Sequence, residues 1–328
     1  MQDNLIIIRV DGGIASQISF VALGKAFEEL GHKVKYDLGW FDSVAKGFYN
    51  TTNGYDKEYN LYFDIPKAFP SLPIEIASKE EVKHYEANYF IDDDNVITYQ
   101  PPLYVGGYLG RRYDIYFSSL FASTFEPKEV HEEGSAFYDF LHEILHSQAC
   151  GIHIRRGDLS QNHVVYGEPT SLAYFQQTIK LVRKIQPQSM FYLFSDDVAF
   201  AKEHIAPLIG DTNYKICDIN TPEQGYLDLY LLSRCKIIIA SHGSIGIYAK
   251  ILSPHNPLLI TPRTRNVFYE MENVMVVNWG LKMQATSPNM ANLPPPPPQC
   301  SNLSLRNKIR LYIYRRLKSK LMRKGVIQ

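Results

Sequence analysis

The second half of the chain alternates short apolar runs with amphipathic segments, and this alternation constrains the fold more than any other feature. The apolar runs lie at 149–154, 190–194, 214–217, 237–240 and 257–261. Helical periodicity is present between them, at 172–185, 198–208, 224–234 and 245–252. Continuous apolar strands that alternate with helices are typical of a parallel sheet covered on both faces. We therefore predict a Rossmann-like domain over residues 148–262, with 257–261 as its last strand.

The first part of the chain predicts a second α/β domain, over residues 1–147. An apolar strand at 5–10 meets Asp11, Gly12 and Gly13, and an amphipathic helix follows from Ile14. Gly31 is expected to end that helix, before a second strand at 32–36. Residues 40–146 are aromatic and rich in loops, with helical patches near 78–87 and 134–147. The start is thus a βαβ unit, whereas the rest of this domain is not assigned in detail.

The C-terminal segment has a different character. After a return segment at 263–293, a run of prolines at 294–298 predicts a semi-rigid spacer. Residues 304–324 then repeat an apolar residue every four positions, with basic residues between them. The last 28 residues carry nine Lys or Arg and no acid, which leaves 25 basic against 34 acidic residues in the body. We predict a basic helix on an anionic membrane surface; a nucleic-acid patch or a helix packed on a partner protein are the alternatives.

The sequence also bears on the cellular compartment in which the protein works. No apolar stretch approaches the length that spans a bilayer, and the N-terminus lacks the pattern of a signal peptide. The four cysteines, Cys150, Cys217, Cys235 and Cys300, have neither metal-ligand spacing nor the number that a disulfide framework needs, and three of them lie in or beside apolar runs, so buried free thiols are expected. These features predict a cytoplasmic protein, bound peripherally to the inner face of the cytoplasmic membrane.

Three polar loops follow strands of the predicted Rossmann-like domain. They are Arg155-Arg156-Gly157-Asp158, Ser195-Asp196-Asp197 and Ser241-His242-Gly243-Ser244. Ligands of open α/β sheets bind beyond the carboxyl ends of the strands, so three such loops on one edge predict a binding site there.

Each loop has a ligand-binding and a structural interpretation. The two arginines offer permanent cations suited to a diphosphate, or they pair with nearby acids in a surface turn. The serine loop offers hydroxyls and backbone N–H groups to a phosphate, or it caps a helix. Asp196 and Asp197 accept hydrogen bonds from a guanine edge or a ribose, or they form an ordinary helix start.

Two further segments also have both a ligand-binding and a structural interpretation. Gly12 and Gly13 allow a ligand to approach the backbone closely, or they form a plain tight turn, since the full dinucleotide fingerprint is missing. Asp92, Asp93 and Asp94 would hold a divalent cation, or form an acidic turn. We favour the turn, with Asn95 and a following strand completing a hairpin.

These motifs resemble those of the bacterial α-1,2-fucosyltransferase family, which is glycosyltransferase family 11-like and related to the protein O-fucosyl- and α-1,6-fucosyltransferases. The family's H-x-R-R-x-D motif is matched by His153, Arg155, Arg156 and Asp158. Its S-D-D segment, its D-L-x-L-(x)-S-x-C segment and its last turn are matched at 195–197, 228–235 and 241–246. The resemblance runs from residue 5 to about residue 262. It departs from the family in the first loop, at 12–17, and at 107–110, both in the family's acceptor half.

The resemblance implies a GT-B-like fold, in which two Rossmann-like domains face each other across a cleft. It implies an inverting enzyme without metal or cofactor that moves L-fucose from GDP-L-fucose to an acceptor glycan. The acceptor atom would be galactose O-2, in an oligosaccharide that is lipid-linked or free, during O-antigen or other surface polysaccharide synthesis. No nucleic acid is expected as a partner.

The resemblance also suggests roles for residues. Arg155 and Arg156 would bind the diphosphate, and His153 would orient the donor. The nucleoside would contact Asp196 and Asp197, and the general base would be Asp158 or Asp11. The remaining donor-site residues would be Ser241, His242, Gly243, Ser244, Ile245, Gly12, Gly13 and Gln17.

Three other functions remain open at this point. One is a different sugar-nucleotide transferase, including a metal-dependent enzyme that uses residues 92–94. Another is a non-catalytic protein that binds a glycan or a nucleotide on the same scaffold. A nucleic-acid-binding module is the third, although the acidic body argues against it.

Overall fold

A computed structural model of the chain describes residues 4–43, 60–93, 95–106, 113–156, 169–210, 213–262 and 271–277. Within these residues the first part of the chain forms a four-stranded sheet in the order β2-β1-β4-β3, with every pair parallel. Its strands are β1 (Leu5–Arg9), β2 (Lys33–Asp37), β3 (Phe90–Ile91) and β4 (Leu103–Val105). The strand–helix–strand start predicted from the sequence is confirmed.

The second part forms a six-stranded parallel sheet in the order β10-β9-β8-β5-β6-β7. Counted from β5, this is the Rossmann order 3-2-1-4-5-6, and the order reverses between β5 and β8. The α/β class with parallel sheets is therefore confirmed. The strands are β5 (Ala149–Ile154), β6 (Met190–Ser195), β7 (Tyr214–Cys217), β8 (Ile237–Ile239), β9 (Leu258–Pro262) and β10 (Val274–Val277).

Strand β10 corrects the prediction that the series ends with the strand at 257–261. Val274–Val277 pairs in parallel with β9 and occupies the edge of the sheet. Its residues are partly or fully exposed, as is usual at an edge. The sequence between β9 and β10 has no helical period, so it did not indicate a further parallel strand.

The helices agree with the predicted positions, including the patches near 78–87 and 134–147. The segment predicted as one helix at 198–208 contains a π turn at Ala201–Ile205, and Pro207 follows with no N–H to continue regular α hydrogen bonding. The α-helical segments are Ile14–Glu29, Gly39–Ser43, Ile65–Ala68, Lys79–Tyr89, Ser118–Thr124, Ala136–Leu145, Leu172–Ile185, Val198–Phe200, Ala206–Ile209, Gly225–Ser233 and Ile245–Ile251.

The hairpin predicted around the acidic run is wrong. β3 pairs in parallel with β4, and residues Val96–Thr98 form a 3₁₀ turn rather than a strand. The Asp93 carboxylate accepts hydrogen bonds from the N–H of Asn95, at 2.8 Å, and from the hydroxyl of Tyr99, at 3.2 Å. Asp93 thus stabilises this turn, in line with the structural interpretation, and Asp94 lies outside the described residues.

One apolar core joins the two sheets. It contains β1 residues and residues of helix Gly225–Ser233, and the ring of Phe125 packs edge-on against Tyr230 with centroids 5.0 Å apart. That helix lies so close to β5 that a Cβ on Gly151 would come within 2.4 Å of the side chain of Leu232. Among the cysteines, Cys150, Cys217 and Cys235 are buried free thiols as predicted, whereas Cys300 lies outside the described residues.

Candidate functional site

The loops after β5 and β8 meet at the point where the strand order reverses. The hydroxyl oxygen of Ser241 accepts a hydrogen bond from the N–H of Arg155 at 2.9 Å and lies 3.1 Å from Nδ1 of His153. Ser241 is only 1% exposed. Two of the three loops that the sequence singled out are therefore held together by one buried oxygen, at the place where open α/β sheets bind ligands.

The side chain of Arg155 lies against the loop at 241–244. Gly243 has a φ of +105°, and a Cβ at this position would stand 2.7 Å from Nη1 of Arg155 and 3.1 Å from its Cδ. Glycine is thus favoured here by its backbone conformation and by the space that the Arg155 side chain occupies.

Arg156 connects the same site to the third loop, after β6. Its N–H donates to Oδ1 of Asp196 at 2.9 Å, and its Nε lies 3.3 Å from Oδ2 of Asp197. The guanidinium carbon lies 3.7 Å from the centroid of the Phe200 ring. With 26% of its side chain exposed, Arg156 is oriented by an ion pair and a cation–π contact while part of it still faces solvent.

The Ser195-Asp196-Asp197 segment forms a helix start, as its structural interpretation predicted. Oδ1 of Asp197 accepts from the N–H of Phe200 at 2.9 Å, which caps the helix Val198–Phe200. The Ser195 hydroxyl donates to the carbonyl of Ile154 at 2.9 Å and so ties β6 to β5. The segment holds the arginine loop in place; contact of Asp196 and Asp197 with a nucleoside stays a prediction.

Two histidines of the site are electrically neutral at ordinary pH. Burial, and then the positive charge of Arg155, lower the pKa of His153 to about 3. The same two causes lower the pKa of His242. The N–H of His242 donates to the buried Thr170 hydroxyl oxygen at 2.8 Å, whereas its Nε2 has no hydrogen-bond partner within the described part of the chain. The cationic charge at this edge is therefore supplied by the arginines.

Ser244 and Ile245 begin the helix that follows β8. The Ser244 hydroxyl makes no capping hydrogen bond to the described residues, so the capping alternative is not realised by its side chain. Ile245 is partly buried and packs against the apolar core. A Cβ on Gly246 would come within 2.4 Å of the Ala240 side chain, so this helix start packs very closely on the end of β8.

The turn after β1 contains the remaining predicted residues. Oδ2 of Asp11 lies 3.9 Å from Nη2 of Arg9, and Gly12 has a φ of +75°. A Cβ on Gly13 would meet no atom within 4 Å among the described residues, so the backbone here is open to approach. Asp158, the other candidate base, lies outside the described residues.

The contacts of Gln17 do not support its predicted role in binding the donor. Its side chain is fully buried, and its amide nitrogen donates to the carbonyls of Gly12 at 3.0 Å and Tyr62 at 2.8 Å. Its amide oxygen accepts from the N–H of Asp64 at 2.7 Å. Because these bonds occupy the amide, we now assign Gln17 to holding the loop at 60–64 against the turn after β1.

Three contributing residues were not anticipated. Thr170 anchors His242, Phe200 supports Arg156, and the Tyr174 hydroxyl donates to the carbonyls of Ala240 at 2.8 Å and Ile260 at 3.0 Å. Phe200 and Tyr174 occupy ordinary apolar positions of predicted helices, so nothing in the sequence indicates these contacts.

The carboxyl edges of the two sheets are joined by a buried carboxylate. Asp114 accepts hydrogen bonds from the hydroxyl of Ser19, in the helix after β1, and from that of Tyr248, in the helix after β8. This contact agrees with the facing arrangement that the resemblance implies. No group of three potential metal ligands, and no helix able to span a membrane, occurs among the described residues.

This geometry places the arginine and serine motifs in one site, and sequence comparison covers both. Residues 134–281 match glycosyl transferase family 11. The match confirms the resemblance for this segment, which includes β5 to β10. The O-antigen biosynthesis glycosyltransferase WbnK of Escherichia coli is 25% identical over 120 residues, which is 36% of this chain and 39% of WbnK. The alignment thus spans well under half of that relative's length.

Solved glycosyltransferase structures show only a distant likeness. The E. coli heptosyltransferase WaaC with ADP has a TM-score of 0.37 at 10% identity, over 83% of this chain and 90% of WaaC. The E. coli ADP-heptose LPS heptosyltransferase II has a TM-score of 0.40 at 12% identity, over 83% and 89%. POFUT1 in complex with GDP has a TM-score of 0.39 at 9% identity, over 79% and 98%. Similarity at this level assigns no ligand and no residue.

Proposed function

We propose that the protein is an inverting, metal-independent fucosyltransferase that moves L-fucose from GDP-L-fucose to a hydroxyl of an acceptor glycan. The acceptor atom is galactose O-2, which gives an α-1,2 linkage, in bacterial O-antigen or other surface polysaccharide synthesis. The observation that carries the proposal is the convergence of Arg155 with the Ser241 loop at the reversal of strand order, inside the segment that matches glycosyl transferase family 11.

The arginines suit a departing nucleoside diphosphate. When the bond from fucose to the diphosphate breaks, negative charge develops on the leaving oxygens, and fixed cations stabilise it most when they are already oriented. Arg155 is positioned by its N–H bond to Ser241 and by Gly243, and Arg156 by Asp197 and the Phe200 ring. The site therefore needs little rearrangement to neutralise a diphosphate, and this supports charge stabilisation by arginines without a metal.

Neutral groups complete the donor site. Because His153 carries no charge at neutral pH, it orients the arginine loop through Ser241 rather than adding to the positive field. The Ser244 hydroxyl, which makes no capping hydrogen bond to the described residues, would bind a phosphate oxygen. Asp158 or Asp11 removes the proton from the acceptor hydroxyl as it attacks the sugar carbon from the side opposite the leaving group, which inverts the configuration.

The basic helix predicted at 304–324 lies outside the described residues. From its basic, amphipathic sequence we propose that it holds the enzyme on the inner face of the cytoplasmic membrane, where lipid-linked acceptors are exposed.

The test is fucose transfer from GDP-fucose by the wild type and by Arg156→Ala. Loss of an oriented cation at the leaving group should lower kcat by about 100-fold or more. Lys180→Ala is the matched control, because it removes one positive charge from an exposed position of the helix Leu172–Ile185. Full turnover by Arg156→Ala would refute the assignment. Thermal shifts with GDP-fucose, other GDP-sugars and UDP-sugars identify the donor, because the sugar nucleotide that binds tightest stabilises the fold most.

A further inference from the structure

A cluster of aromatic and charged side chains bridges the two halves of the molecule beside the turn after β1. Nζ of Lys67 lies 5.2 Å from the centroid of the Tyr62 ring and 5.7 Å from that of the Tyr226 ring. The same ammonium group is 3.2 Å from Oδ1 of Asp64. Tyr62 and Lys67 belong to the first half, whereas Tyr226 is the second residue of the helix Gly225–Ser233 in the second half. One ammonium group thus joins two tyrosines from different halves.

The position of this cluster follows from hydrogen bonds already described. The Gln17 amide holds the Tyr62 carbonyl against that of Gly12, so the loop at 60–64 lies at the carboxyl edge of the first sheet. Helix Gly225–Ser233 follows β7 and therefore begins at the carboxyl edge of the second sheet. Arg155 and Arg156 follow β5 at the same edge, and β5 lies two strands from β7, a separation of the two strands of roughly 10 Å at the usual strand spacing.

The chemistry of the cluster suits a sugar. Tyr62 is 45% exposed, and the Lys67 side chain is 50% exposed, so both side chains are partly open to solvent. An aromatic ring packs against the C–H face of a pyranose, while ammonium and carboxylate groups bond its hydroxyls. Tyr226 is buried, and its hydroxyl donates to Glu129 at 3.0 Å, so it forms a fixed wall beside Lys67.

We propose that Tyr62 and Lys67, backed by Tyr226, bind a sugar ring of the acceptor glycan. This inference rests on the proposed function, because it names the acceptor side of the same reaction. It makes Tyr62 and Lys67 specificity residues that place an acceptor hydroxyl opposite the donor held by the arginines.

The experiment measures transfer from GDP-fucose to octyl glycosides of β-galactose, β-glucose and N-acetyl-β-glucosamine, with the one that the wild type uses fastest taken for kinetics. Tyr62→Ala should raise the KM for that acceptor by about tenfold, the effect of losing one ring contact, and leave the KM for GDP-fucose unchanged. Tyr62→Phe keeps the ring and should stay within about twofold of the wild type. Lys67→Gln should also raise the acceptor KM.

Tyr116→Ala is the matched control, because Tyr116 is a tyrosine of similar exposure, 52%, whose hydroxyl pairs with Glu29 at the last residue of the helix Ile14–Glu29. An unchanged acceptor KM in Tyr62→Ala, beside a wild type that transfers fucose, would refute the acceptor site alone. A fall in Tm without a change in KM would identify the cluster as a structural link between the halves. A wild type that transfers no fucose to any of the acceptors and is not stabilised by GDP-fucose would overturn the proposed function itself.

Discussion

Replacing Ser241 with alanine removes the oxygen on which the ends of β5 and β8 meet. The hydroxyl accepts from the N–H of Arg155 at 2.9 Å and contacts Nδ1 of His153 at 3.1 Å, and both groups lose this partner in the variant. A buried polar group left without a partner costs about 1–3 kcal/mol. With about 1 kcal/mol for the partly buried Arg155 N–H and about 2 kcal/mol for the imidazole, unfolding becomes easier by about 3 kcal/mol.

Differential scanning fluorimetry with and without GDP measures both consequences. At about 2 °C per kcal/mol for a chain of this size, Tm should fall by about 6 °C. The stabilisation by GDP should also shrink, because the arginine loop is no longer fixed. Ser189→Ala is the control: Ser189 is as buried as Ser241, but its hydroxyl donates only to the Gln186 carbonyl, at 2.8 Å, far from the site. A Ser241→Ala protein that loses stability but responds to GDP as the wild type does would refute the link between this oxygen and the donor site.

Four further outcomes are expected. Gly243→Ala should weaken GDP binding in calorimetry at a stability cost of only about 1–2 kcal/mol, since the new Cβ meets the Arg155 side chain; unchanged affinity would contradict the packing. Burial raises the pKa of Asp228 to about 6, so its contribution to stability is complete below pH about 4 and is lost as pH rises through 6. We therefore expect the free energy of unfolding of Asp228→Asn, measured in urea, to increase by about 2 kcal/mol relative to that of the wild type as the pH is raised from 4 to 7.5. A difference between the two proteins that does not depend on pH would be inconsistent with the burial. Transfer should survive excess EDTA, and loss restored by Mg²⁺ would support a metal-dependent enzyme. A protein ending before Pro294 should no longer sediment with anionic vesicles, and sedimentation equal to that of the full chain would rule out the membrane helix.

The sequence predicted the second sheet well because its signals are local. β5 and the helix Leu172–Ile185 begin and end where continuous apolar character or helical period begins and ends. β10 was missed because no helical period precedes it, and the hairpin at 92–98 was wrong because a polar turn does not reveal whether the next strand pairs in parallel.

The site was predicted to the level of its loops but not of its contacts. The sequence predicts that the arginine, aspartate and serine loops share an edge, since parallel strands end together. Which atoms meet depends on pairs far apart in the chain, such as Arg156 with Asp197 and His242 with Thr170. For the same reason Gln17 read as a ligand-binding residue, although its partners at Tyr62 and Asp64 make it part of the framework.

The carboxylate of Asp114 has a consequence for motion. It is fully buried and bonded to the hydroxyls of Ser19 and Tyr248, one from each half, and one apolar core contains residues of both halves. A hinge opening of the two halves would pull these groups apart and expose buried polar atoms that are hydrogen-bonded to each other, which is costly. We therefore expect substrates to enter through movement of surface loops while the two sheets stay together. In that case loop movement, rather than movement of whole domains, limits the rate of turnover.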